Sequence, residues 1–125
     1  MESIIASETR EWVRCNLGLI HNAVDQEMRQ MMAAGIDPSK GNLCAGLFKY
    51  LDRSSLPSNG KLRFVRVDTP QTKGILHAII EIETIIIDPT YMQFGVHVEE
   101  EDLVDSCLVG PKEYLYQKYG IDYAV

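Results

Sequence analysis

The chain has 125 residues, 46% hydrophobic and 24% charged, with a formal net charge of −6. That composition supports one core rather than two, so residues 1–125 read as a single domain. No Lys/Arg cluster could hold a phosphate backbone, which argues against nucleic acid as a partner, and no apolar run approaches the length of a membrane span. The N-terminus MESIIASETREW lacks the basic start and apolar stretch of a signal peptide. Three cysteines, Cys15, Cys44 and Cys107, form no CxxC pair, so neither a disulfide framework nor a structural zinc site is expected. The expected compartment is the cytoplasm at synthesis, with export by a route lacking a cleaved signal left open.

Ser7 can cap a helix over about residues 8–34. Its apolar face is Val13, Leu17, Ile20, Val24, Met28 and Met31, spaced by three and four. Gly35 and Asp37-Pro38 stop it. A shorter helix follows, opening at Ser39 or Asn42, with Leu43, Leu47, Phe48 and Leu51 on one face. Residues 61–69 alternate like a strand. Residues 75–87 read as two strands around Glu83-Thr84, and 92–98 as a further strand. Glu99, Glu100, Glu101 and Asp102 begin a solvated acidic connection. Pro111 can open a last helix to about Lys118, closed by Gly120. Helices, then strands, then a helix make an α+β domain with N-terminal helices packed on a small antiparallel sheet.

In GILHAIIEIETIIIDPTY, residues 74–91, a histidine and a carboxylate sit among β-branched residues. Unpaired, they would cost several kcal/mol if buried. A tight hairpin with partner numbers summing to about 165 places His77 opposite Asp88. There the carboxylate can hold one imidazole nitrogen and leave the other for a thiol. Cys44 falls in the first turn of the second helix, where free N–H groups favour a thiolate and an oxyanion. Nucleophile, base and orienting group are then Cys44, His77 and Asp88. The same three types could hold zinc with an open fourth position, but the usual closely spaced ligand pair is missing, so no metal or cofactor is expected. Taken singly, Cys44 reads as core packing, His77 as a satisfied core histidine and Asp88 as a turn residue.

Cysteine at a helix start, then His77-Ala78 through Ile82, then Asp88-Pro89-Thr90, resembles the papain-like and transglutaminase-like cysteine enzymes. Those use Cys, His and Asp in this order. The resemblance covers about residues 41–93. It implies a papain-like core and acyl transfer on carboxamide or peptide bonds of a protein or peptide substrate. A glutamine deamidase or transglutaminase-like domain of effector or toxin type is the leading expectation. A processing cysteine peptidase is the alternative, and an inactive protein-binding module on the same scaffold is the reading outside that class. Oxyanion donors would be the Cys44 amide with Asn42, or else Gln93.

Overall fold

A computed structural model describes residues 2–37 and 43–124. Helix α1 spans Glu2–Ala33 and α2 spans Ala45–Tyr50. Strands β1 (Gly60–Asp68), β2 (Ile75–Ile82) and β3 (Ile85–Asp88) follow. After them come β4 (Leu103–Val104), β5 (Cys107–Pro111), helix α3 (Lys112–Tyr119) and β6 (Asp122–Ala124). The strands form one antiparallel sheet in the order β4-β5-β3-β2-β1-β6. The expected α+β arrangement, N-terminal helix on antiparallel sheet, is the one observed.

Both faces of the sheet are covered. On one face Ile80, Ile82, Ile85, Ile87 and Val109 pack under Val13, Ile20 and Ala23 of α1 and Leu47 of α2. On the other, Val65, Val67, Ile79, Ile86 and Leu108 pack under Phe94, Val98, Leu115 of α3 and Tyr123 of β6. Two-sided burial explains the near-continuous isoleucine run of β2 and β3, since neither face has to be polar. The two short helices of this chain rely on such packing, because isolated helices of their length are marginal in water. A Cβ on Gly46 would lie 2.5 Å from the Ala23 carbonyl oxygen and 2.9 Å from Glu27 Cβ. Only glycine lets α2 press this closely on α1. Lys49 pairs with the buried Glu27 carboxylate at 2.8 Å beside that crossing. Trp12 ties α1 to the chain after α2 by donating to the Ser55 carbonyl at 3.3 Å.

Several expectations require correction. Helix α1 begins at Glu2, not at a Ser7 cap, because ESIIASE carries no helix breaker. Residues 92–98 are not a strand. Tyr91–Phe94 form a 3-10 turn ended by Gly95 at φ 68°, a left-handed conformation that extended pairing cannot accommodate. The stretch after Glu99 is not simply solvated. Asp102 is buried and accepts from Tyr114 at 2.8 Å, from Lys118 at 2.9 Å and from Tyr119, and it is followed by β4. Burial opposes its ionisation, but these three donors win and hold its carboxyl below the usual range. Ser39 and Asn42, the expected openings of the second helix, lie outside the described residues.

Candidate active site

Strands β2 and β3 meet in the pairs Ile80–Ile87, Glu81–Ile86 and Ile82–Ile85. The turn is therefore Glu83-Thr84, and Glu83 accepts φ 55° to make it so tight. The register differs by two residues from the expected one. Continued outward, it sets Asp88 across from Ile79, one diagonal step from His77 on the same face. The diagonal spacing is still within reach of a long side chain. His77 Nε2 lies 2.9 Å from both Asp88 Oδ1 and Oδ2. The two residues are 1% and 0% exposed, so the pair is dry.

Asp88 has two further donors. The Thr90 amide reaches Oδ1 at 3.1 Å, closing the Asp-Pro-Thr turn. The Tyr123 hydroxyl, from β6, reaches Oδ2 at 2.7 Å. The turn and the pairing readings of Asp88 thus hold together in one side chain. Burial pushes the His77 pKa down. The Asp88 charge and hydrogen bond, with a smaller contribution from Cys44, reverse this and raise it to about 10. At neutral pH the ring is an imidazolium. Phe94 packs against it with centroids 4.6 Å apart.

Cys44 sits immediately before α2, at φ −62°, ψ −22°, and is fully buried. Strand β2 runs on past the paired part of β3, and the Ala78 amide there donates to Cys44 Sγ at 3.2 Å. The thiol is thereby anchored next to His77. With Nε2 occupied by Asp88, Nδ1 is the nitrogen left for sulfur. Nδ1 makes no hydrogen bond of ordinary geometry, yet Cys44 is close enough to help hold the imidazole pKa up.

The other expected participants fare differently. Helix α2 is only six residues long, and the Gly46 and Leu47 amides already bond to the Leu43 and Cys44 carbonyls. That leaves fewer N–H groups for an oxyanion than a full helix start would. Gln93 is half-buried in the 3-10 turn beside Phe94. His97 is exposed in the segment after Gly95. Cys15 is exposed on α1, while Cys107 is buried in β5, where burial and nearby carboxylates push its thiol up to about 12. Among the described residues no group of three His, Cys, Asp or Glu side chains is arranged to hold a metal ion. None of the described helices is long and apolar enough to cross a membrane.

Tyr123 was not singled out from the sequence. The only signal for it is a tyrosine two residues after an apolar Ile121 that follows a helix stop, and this is too weak to place a side chain. No protein-family model, no curated protein and no solved structure matches this chain.

Proposed function

We propose that this chain is a thiol-dependent acyl-transfer enzyme of papain-like or transglutaminase-like type. It acts on carboxamide or peptide bonds of a protein substrate. The observation that supports this reading best is the buried His77 ring, gripped through Nε2 by both oxygens of Asp88, which raise its pKa, and flanked by Cys44. A cation beside a thiol favours the thiolate, the form that attacks carbonyl carbon. Cys44 Sγ would form the C–S bond of a tetrahedral adduct. His77 would give its Nδ1 proton to the departing nitrogen as the C–N bond breaks, leaving a thioester. Water then attacks the thioester, His77 takes its proton, and the thiolate leaves. On a glutamine side chain the products are glutamate and ammonia. On a main-chain amide the same steps are proteolysis, and an amine in place of water gives transamidation. Glutamine deamidation by an effector or toxin-type domain is the preferred form, because one small domain leaves little room for a specificity domain of its own.

One observation favours a second reading, an inactive binding module. Cys44 is 0% exposed and its sulfur is already an acceptor for the Ala78 amide. In that reading Cys44 is packing, and His77 with Asp88 is a structural pair. In the enzyme reading the cover over Cys44 must open when substrate arrives.

The two are separated by the rate of iodoacetamide alkylation at each cysteine, read by mass spectrometry. Exposed Cys15 is the reference and Cys107 the inert control. The enzyme reading expects Cys44 to react below pH 8, and to slow by about tenfold or more in His77→Ala. A Cys44 as inert as Cys107 in native protein, reacting only on unfolding, would establish the packing reading.

A further inference from the structure

We infer that Tyr123 is a positioning residue of this site, holding Asp88 in the one orientation that grips His77 with both carboxylate oxygens. The inference rests on the acyl-transfer reading of Cys44, His77 and Asp88.

An ionised carboxylate offers about four acceptor directions. Here three donors engage both oxygens, the single His77 Nε2–H being shared between them. Oδ1 accepts from His77 and the Thr90 amide, and Oδ2 accepts from His77 and the Tyr123 hydroxyl. Turning the carboxylate about its Cβ–Cγ bond would break at least one of these bonds. The Thr90 amide belongs to the same turn as Asp88 and moves with it. Tyr123 does not. It stands on β6, which pairs with β1 through Val67–Tyr123, while its hydroxyl reaches Asp88 of β3. It is thus the external reference against which Asp88 is fixed. The ring is 1% exposed and meets Phe94 edge-on at 6.2 Å, and Phe94 in turn lies on His77. Burial and the neighbouring carboxylate keep the phenol protonated well above its ordinary range, so it remains a donor throughout the working pH range.

A merely structural tyrosine would need any acceptor and would not affect titration at the site. A positioning tyrosine must do so, because the carboxylate orientation it fixes sets how firmly Asp88 holds the His77 proton. The test is the pH profile of Cys44 alkylation by iodoacetamide in the full chain, comparing wild type, Tyr123→Phe and His77→Ala. Phenylalanine keeps the ring and removes only the hydroxyl. Asp88 is then free to turn, its hold on the His77 proton weakens, and the acid limb of the profile moves up by about one pH unit. A Tyr123→Phe profile superimposed on wild type, with His77→Ala still slow, overturns the role of Tyr123 and leaves the acyl-transfer reading intact. A His77→Ala profile equal to wild type overturns both. If circular dichroism shows that Tyr123→Phe is unfolded, 3-fluorotyrosine at position 123 replaces it. Its more acidic hydroxyl donates more strongly, so the acid limb moves down by about a few tenths of a pH unit. An unmoved limb in that protein overturns the inference.

Discussion

Asp88→Asn separates an ionic His77–Asp88 pair from a neutral one. In the native chain His77 rises from 6.5 to about 10, so its protonation stabilises the fold fully below pH 6.5. The contribution is lost as pH climbs from 6.5 toward 10. With asparagine at position 88 only burial remains, which holds the ring neutral above pH 6.5 and removes this slope. The stability difference between the two proteins should therefore shrink as pH rises, by roughly 1.4 kcal/mol per pH unit in that window. Breaking a buried pair typically costs about 3–5 kcal/mol, which bounds the difference at its low-pH end. The measurement is urea unfolding followed by circular dichroism at pH 6.5, 7.5 and 8.5. Both proteins should carry Cys44→Ala, so that the thiol's own titration does not enter. Burial, the largest cause of the raised Cys107 pKa, is common to the two chains and keeps that thiol protonated in the fold at these pH values. A difference that stays constant across the three pH values would refute an imidazolium at position 77, and with it the electrostatic basis of the proposed thiolate.

Gly46→Ala should destabilise by about 1–3 kcal/mol, because its methyl meets the Ala23 carbonyl and the Glu27 Cβ rather than open space; a midpoint in urea equal to wild type would show that the α1–α2 crossing yields easily. Glu83→Val should cost about 1–2 kcal/mol at its left-handed position, whereas Glu83→Gly should stay near neutral, relief of strain offsetting the lost Asn59 hydrogen bond. Equal stabilities for the valine and glycine variants would mean that the turn is not held as tightly as Glu83 indicates.

The hairpin of β2 and β3 was legible because histidine and aspartate are costly in an isoleucine run and each is the obvious partner for the other. Glu83-Thr84 was legible as its reversal, but the exact pairing was not, since both are weak turn residues and a register drawn to set His77 opposite Asp88 falls two residues from the observed one. The isoleucine run also hides which face is which, because two-sided burial removes the alternation that would reveal it. Helix α3 was legible from Pro111 and Gly120, the residues at its cap positions. Strands β4 and β6, of two and three residues, are too short to carry any period. Asp102 was misread because an acid in a run of acids gives no sign that three donors await it. Of the site, Cys44, His77 and Asp88 were legible as residue types, while Tyr123 was not, because its contact depends on β6 pairing at the far side of β1.

The strand order has a consequence for solubility. IIEIETIII is the segment of this chain most suited to self-association: high in β-propensity and free of proline and glycine. The fold puts β2 and β3 in the middle of the sheet, with β4 and β6 outermost; β6 covers β1 only over Arg66–Asp68, so the edge there is the polar-alternating start of β1 rather than the isoleucine run. Fraying of β4 or β6 therefore leaves the isoleucine run paired within the sheet. The risk is confined to molecules that open as a whole, and there Glu81 and Glu83 interrupt the run with charge, the role of gatekeeper residues. Resistance to aggregation in this protein should accordingly follow its global stability rather than the mobility of its edges.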